Sequence, residues 1–454
     1  MNQTFMKYLE EAIGHENALV AFSAFTRGAS VSVRYNPLKD CTHMEGRLVG
    51  WSPYGVMLEN RPQFTLDPLF HAGAYYVQDS SSMFVGHLFR NVLSGIDLPQ
   101  TRPLRVLDLC AAPGGKTTDL LASLRQACGG NFILVANEVM KARVGVLADN
   151  VALWGDPNVV VTSDDPRAFA ALGGFFDIIL ADVPCSGEGM FRKDEQAQQQ
   201  WSEDNVALCE GRQRRILADV WPALADGGVL IYSTCTFNKY ENDGNVAWIA
   251  QNLGARVLAN DLEGDGIIHT ESGYSLVPGF VEGEGQYAAS LRKTSEPEYV
   301  SGRSKKNNDR APKPPVLPDG LDALFSIKMN FALKGETVTA VPAHLSADVA
   351  LVRGILHVIA AGCAVGQVKG KVLVPDADMA LCAFLGKDAF PRVEVDRKTA
   401  LAYLHKDNIC FPESPKGYLL VCHQGLPLGF VKNLGNRCNS LHPQSRRIRM
   451  DINE

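Results

Sequence analysis

The sequence predicts an α/β fold built around a doubly wound, mostly parallel sheet. Three observations predict it. Five short apolar runs recur at Arg105–Leu109, Asn131–Asn137, Asn158–Thr162, Asp177–Ala181 and Gly228–Tyr232. Segments with helical periodicity lie between them, over Lys116–Leu124, Lys141–Leu153 and Val206–Leu224. The runs are near-continuously apolar rather than alternating, as expected of strands covered on both faces.

Taken in order, residues 1–95 form a small α+β lead-in module. Short strands and turns are expected over Ser32–Leu38 and around Trp51–Gly55, and a helix near Ser82–Val92. The sheet itself occupies residues 96–293. Residues 294–319 then carry a Lys-Lys-Asn-Asn-Asp-Arg run at 305–310, followed by Pro312, Pro314, Pro315 and Pro318. That composition predicts a linker. Residues 320–454 follow as a C-terminal region. Within it, Val349–Gly366 is the most apolar stretch of the chain; interrupted by Arg353 and His357, it reads as a core helix rather than a membrane span. Strand-like runs between Gly417 and Arg449 predict a small β-rich end.

Composition limits the function classes. The 454 residues are 46% hydrophobic and 21% charged, ordinary for a globular protein, and the net charge is -6. A uniformly basic nucleic-acid binder is thus disfavoured, since phosphate contacts need Lys and Arg. The 11 cysteines are an odd number without a CxxC pair, which argues against a disulfide framework or a zinc knuckle. Reduced thiols in a cytoplasmic protein are expected. No apolar signal region opens the chain, and no metal site is expected.

The first apolar run ends in Asp108-Leu109-Cys110-Ala111-Ala112-Pro113-Gly114-Gly115-Lys116 and opens a helix. Small residues there let a ligand approach the backbone closely. Glu138, at the end of the next run, is placed for ribose hydroxyls. A Walker A loop fails, because its first glycine would fall on Cys110, and GxGxxG is absent. The glycine pair alone is as consistent with a tight turn that binds nothing. Asp165, after the third run, is either an adenine-side contact or a turn residue before Pro166, and Asp164 competes with it.

Asp182-Val183-Pro184-Cys185 follows the fourth run, and Ser233-Thr234-Cys235 ends the fifth. Strand carboxyl ends form the ligand crevice of open α/β sheets, so both cysteines share an edge with the glycine-rich loop. A lone cysteine is usually a small buried hydrophobe. Two at adjacent strand ends beside such a loop suit methylation of cytosine carbon 5. Thiolate attack on carbon 6 makes carbon 5 nucleophilic, and a base must later remove its proton. Asp182 is placed to help at the N3/N4 edge of the ring. The target base must be flipped or single-stranded. S-adenosylmethionine is then the favoured cofactor. Zinc-deaminase, GxSxG and HExxH signatures are absent.

At this point the chain resembles the Sun/Nop-type RNA cytosine-carbon-5 methyltransferases, in particular their bacterial ribosomal RNA branch. The resemblance rests on CAAPGGKT (Cys110–Thr117), DVPCSGEGMFRKD (Asp182–Asp194) and STCTF (Ser233–Phe237) with Glu241-Asn242. YYVQDSSSM (Tyr75–Met83) and GEGQYAASLRK (Gly283–Lys293) also fit, and LGFVKNLGNRCNSLHP (Leu428–Pro443) resembles the branch's PUA-like end. It implies a Rossmann-like methyltransferase sheet flanked by RNA-binding modules. It implies a cofactor pocket lined by Cys110, Ala111, Ala112, Pro113, Gly114, Gly115, Lys116, Glu138, Asp165 and Asp182. Cys235 would be the nucleophile and Cys185 would aid release, with Asp182 and Lys116 facing the target base. A DNA cytosine methyltransferase would use the Pro-Cys cysteine, Cys185, and sequence chemistry alone does not separate the two. Val183 stands where the family often has Ala.

Ribosomal RNA or a ribosomal subunit is the expected partner. Phe411–Glu454 carries six Lys/Arg against three acids, an excess of +3 in an acidic chain. Arg192 and Lys193 beside the pocket, and Arg34 and Lys39, are further candidates for phosphate contact. A DNA methyltransferase and a non-catalytic RNA-binding factor remain as alternatives.

Overall fold

The computed structural model describes residues 3–294, 317–370 and 372–452. Most of the Pro-rich segment, residues 295–316, lies outside the described residues. The centre is a ten-stranded mixed sheet. Its parallel part runs, edge to edge, Leu224–Thr234, Phe176–Asp182, Leu104–Asp108, Phe132–Asn137 and Val159–Thr162. The expected doubly wound order is therefore present. Chain direction across the sheet reverses between Leu104–Asp108 and Phe176–Asp182, which is where such sheets open a crevice.

The strands form because both of their faces are covered. Every residue of Phe132–Asn137 is buried. Val106, Leu134, Ile178 and Ile231 face one apolar layer, with the helices Phe84–Ser94 and Gly115–Cys128 supplying residues to it. Leu107, Val135, Ile179 and Leu230 face the other, shared with the helix Glu203–Val220. The antiparallel strand Gln286–Lys293 extends the sheet beside Leu224–Thr234.

The Val349–Gly366 stretch corrects the reading of a core helix. A helix over Ser346–Ile355 stops, and Val358–Ala361 becomes a strand paired antiparallel with Val159–Thr162. Gly362 turns at φ 65°, where a Cβ would come 2.1 Å from the Ala340 carbonyl oxygen. A second strand, Cys363–Lys369, then joins a separate sheet. The open edge of the central sheet offers unpaired backbone groups that a run rich in β-branched residues satisfies, and no single-segment period reveals this.

The start and end of the chain share one core. Val33, Tyr35 and Tyr75, from the four-stranded N-terminal sheet, pack with Leu401, Tyr403, Val421 and Val431 near the C-terminus. Two polar staples fasten the N-terminal sheet to the centre. Asn36 Nδ2 donates to the carbonyls of Gly73 and Trp154, and Lys39 Nζ to those of Ala72 and Leu153, at 2.6 Å each for the lysine. No helix among the described residues is long and apolar enough to cross a membrane.

Candidate active site

The glycine-rich loop leaves the sheet at Asp108 and enters the helix Gly115–Cys128 through Gly114, whose φ of 112° suits only glycine. Ala111 N–H donates to the Asn137 carbonyl at 2.8 Å and fastens the loop to the next strand. Asp108 is fully buried. Its Oδ2 accepts from Thr117 Oγ1 at 2.7 Å, while its Oδ1 has no hydrogen-bond partner. Burial pushes the Asp108 carboxyl up to about 7, against the pull of the Thr117 hydroxyl. Glu138 is buried too; its Oε1 accepts from Met140 N–H at 2.9 Å and its Oε2 lies 3.3 Å from Arg143. Burial first, then the charges of Asp182, Asp108 and Glu138, push the Cys110 thiol well above its usual range.

Acids therefore crowd this loop: Asp108, Glu138 and Asp182 stand around Cys110, and Lys116 is the cation on the loop itself. These carboxylate oxygens, the unpartnered Asp108 Oδ1 among them, are acceptors that fit a ligand bearing positive charge and hydroxyl groups. S-adenosylmethionine has both. Asp165 lies further out. It is exposed, and its Oδ1 caps the turn at Pro166–Leu172 by accepting from Arg167 N–H at 3.1 Å. Asp164 Oδ2 accepts from His357 N–H at 2.8 Å.

The neighbouring strands bring the reactive groups together. Asp182 sits opposite Ser233 in the parallel register, so the loops that follow leave the sheet side by side. Cys185 Sγ and Cys235 Sγ lie 3.1 Å apart. All 11 cysteines are free thiols. Lys116 Nζ lies 2.8 Å from Asp182 Oδ2, and Asp182 Oδ1 accepts from Ser233 Oγ at 2.5 Å and Gln286 Nε2 at 3.2 Å. The pair is partly shielded, at 16% and 25% side-chain exposure, so it is screened less than a surface pair. Burial works against the Lys116 charge, but Asp182 outweighs it and raises the lysine above its ordinary value. The hydrogen bond with Cys235, then burial, raises the Cys185 thiol well above its usual value.

Four of the basic candidates turn out to be internal fasteners. Arg34 is fully buried: its Nε donates to Gln78 Oε1, and its Nη2 to the Gly115 carbonyl and Thr118 Oγ1. Lys39 is committed to two carbonyls, as described above. Arg192 is 7% exposed and ties the carbonyls of Gly28, Glu282 and Gly283 together. Near the C-terminus, Arg446 is held between Asp149 and Asp378 at 2.8 and 2.6 Å. Each of these side chains is committed to carbonyl or carboxylate acceptors within the protein. Lys193 differs, being 37% exposed with only long contacts to Asp79 (3.7 Å) and Glu284 (3.9 Å). Lys416, Lys432, Arg437 and Arg449 are exposed.

Sequence reasoning missed the polar groups behind the cysteines. Gln286 lay within the quoted GEGQYAASLRK and Glu241 within the quoted Glu-Asn pair, but neither was given a role. Glu188 likewise lay within the quoted DVPCSGEGMFRKD without a role, and Gln213 and Asn238 lay outside every quoted motif.

The family model described as 16S rRNA methyltransferase RsmB/F matches residues 98–292. Models for the N-terminal domain of 16S rRNA methyltransferase RsmF and for the methyltransferase RsmF PUA domain match residues 1–80 and 390–448. The chain is 33% identical over 394 residues to ribosomal RNA small subunit methyltransferase F of Serratia proteamaculans, covering 82% of this chain and 78% of that one. It is 30% identical over 391 residues to the protein of the same name from Salmonella paratyphi B, with the same coverage. A solved methyltransferase homolog protein from Pyrococcus horikoshii superposes with a TM-score of 0.54 at 25% identity, covering 64% of this chain and 95% of that one.

Proposed function

The chain belongs to the ribosomal RNA small subunit methyltransferase F family of S-adenosylmethionine-dependent RNA methyltransferases, and on that premise we propose that it methylates carbon 5 of a cytosine in ribosomal RNA through a covalent adduct to Cys235. The observation that carries the reading is the pair of sulfurs 3.1 Å apart at the crevice of the sheet, beside the Lys116–Asp182 ion pair.

S-adenosylmethionine, bound along Cys110–Lys116 with Glu138, Asp165 and Asp182, supplies an electrophilic methyl group. The chain's own residues do the rest. Cys185 keeps its proton, because burial and the contact with Cys235 both favour the thiol. Either sulfur can donate to the other across the 3.1 Å contact, so the choice of Cys235 as the attacking sulfur rests on the family resemblance; Cys235 gives up its thiol proton to a base before it attacks. Cys235 Sγ bonds to carbon 6 of the ring, and the electron pair so released moves through carbon 5 to the new methyl group. Loss of the carbon-5 proton to a base then returns the carbon 6–sulfur pair to Cys235. The Cys185 proton eases departure of that sulfur. Asp182 accepts from the exocyclic amine of the cytosine, while Lys116 holds a proton at the same edge.

In the same reading, residues 1–95 and 320–454 grip RNA on either side of the methyltransferase domain, 96–293. The exposed lysines and arginines near the C-terminus are the phosphate contacts. The substrate is ribosomal RNA, free or in a subunit, and the protein works in the cytoplasm. The test is methyl transfer from labelled cofactor to ribosomal RNA, followed by digestion to nucleosides. Label is expected in 5-methylcytidine. Label in another nucleoside, or equal transfer to DNA, would overturn the reading.

A further inference from the structure

Two buried carboxylates lie behind the cysteines, crossed with respect to the loops they belong to. Glu188 is on the Cys185 loop and is 1% exposed. It accepts from the Cys235 loop: Oε2 from Phe237 N–H at 2.6 Å and Asn238 N–H at 3.1 Å. Its Oε1 accepts from Trp201 Nε1 and Asn238 Nδ2, both at 2.9 Å. Glu241 follows the Cys235 loop and is fully buried. It accepts from the Cys185 loop, Oε2 taking Ser186 N–H at 3.0 Å, the residue next to the sulfur.

Gln213 completes the second tether. Its Nε2 donates to Glu241 Oε2 at 2.7 Å and to the Pro184 carbonyl at 3.0 Å, so Cys185 is held from both sides. The two carboxylates meet at one group, the side-chain amide of Asn238, which also donates to Glu241 Oε1 at 2.8 Å. Ser186 Oγ and Thr236 Oγ1, each one residue past a cysteine, are 2.9 Å apart.

Burying two carboxylates side by side is costly unless each is well supplied with donors. These are: Ser186 N–H, Phe237 N–H and the backbone and side-chain amides of Asn238 come from the two cysteine loops, and Trp201 Nε1 and Gln213 Nε2 complete the set. Among the described residues neither carboxylate hydrogen-bonds to a sulfur, so neither is a candidate for the covalent chemistry itself. We propose that Glu188 and Glu241 are positioning residues that fix the two sulfurs separately: Glu188 sets the loop of Cys235, and Glu241 sets the loop of Cys185. Nothing in the family resemblance assigns them this. The inference rests on the reading of Cys235 as the attacking and Cys185 as the releasing sulfur.

The separate assignments give opposite signatures. Glutamine keeps the shape of either side chain but replaces one acceptor oxygen with an NH2 group that faces N–H donors. Misplacing a reacting group by about 1 Å can cost on the order of 10²-fold in rate. With ribosomal RNA and cofactor, Glu241→Gln should form the denaturant-resistant protein–RNA adduct at close to the wild-type rate. It should release it about 10²-fold more slowly, so adduct accumulates. Glu188→Gln should form adduct about 10²-fold more slowly and accumulate none. Trp201→Phe, which removes one donor to Glu188, and Gln213→Leu, which removes the second Cys185 tether, should give the same split if a glutamine variant fails to fold. A merely structural role would lower both steps together. Cys185→Ala is the control. If it accumulates no adduct, the underlying reading of the cysteines fails. If it does, and the Glu188 and Glu241 variants do not separate formation from release, this inference is overturned.

Discussion

Cys185 Sγ lies 3.1 Å from Cys235 Sγ although 50 residues separate them, because Asp182 and Ser233 are in register on adjacent parallel strands. One strand pairing thus places both sulfurs, and the residues of the same pairing hold the neighbouring ion pair. Ser233 Oγ donates to Asp182 Oδ1, while Lys116 lies against Oδ2.

Asp182→Asn should test that ion pair. The amide keeps one acceptor but removes the charge facing Lys116, leaving a shielded ammonium without its counter-ion. Methyl transfer is expected to fall by about 10²-fold or more in kcat. Steady-state kinetics with saturating cofactor and RNA measure this. A kcat within about twofold of wild type would remove Asp182 from the reaction.

Asp108 predicts a pH dependence of stability. Its carboxyl is raised by burial to about 7 from an ordinary 3.8. Between those values the folded state holds a proton that the unfolded state has lost, so this group's contribution to stability falls as pH rises from about 4 to about 7. The full swing is on the order of 4 kcal/mol. Asp108→Asn, measured without cofactor, should melt less steeply with pH across that window and be more stable than wild type above it. Parallel melting curves for the two proteins would refute the assignment.

Arg34→Ala should cost about 3–5 kcal/mol, because it strips donors from the Gly115 carbonyl, Gln78 and Thr118 in the interior. Arg34→Lys should restore little of this, since one ammonium cannot reproduce the guanidinium fork. Denaturant unfolding is the measurement. A loss below about 1 kcal/mol for the alanine variant would mean that the staple is not what anchors the N-terminal sheet to the cofactor helix.

Lys193 and Arg192 should separate in an RNA-binding titration against salt. Lys193→Ala is expected to weaken binding and lower the salt slope by about 1, the signature of one lost phosphate contact. Arg192→Ala should leave the slope unchanged and lower the melting temperature, because its guanidinium is spent on three backbone carbonyls. The reverse pattern would assign the contact to Arg192.

These last two predictions show where the sequence was legible. The parallel strands read clearly because each is apolar along its whole length, and burial on both faces demands that. The site loops read clearly because chemistry-bearing residues stood at strand ends, and strand ends are where such a sheet opens. Arg34, Lys39 and Arg192 did not read, because a charge in sequence looks the same on a surface or bound to buried carbonyls. Val349–Gly366 misread because its second half pairs with Val159–Thr162, nearly 200 residues earlier. Glu188 and Glu241 stood inside quoted motifs, but their role did not read, because Phe237, Trp201, Ser186 and Gln213 reach them across 13 to 55 residues through the fold.

The central claim is that Cys235 attacks and Cys185 releases. Its most direct test is denaturing gel electrophoresis of each alanine variant after incubation with ribosomal RNA and S-adenosylmethionine. Cys185→Ala should accumulate a covalent protein–RNA band and Cys235→Ala none. A band with Cys235→Ala and not with Cys185→Ala, or normal turnover by both, would contradict it.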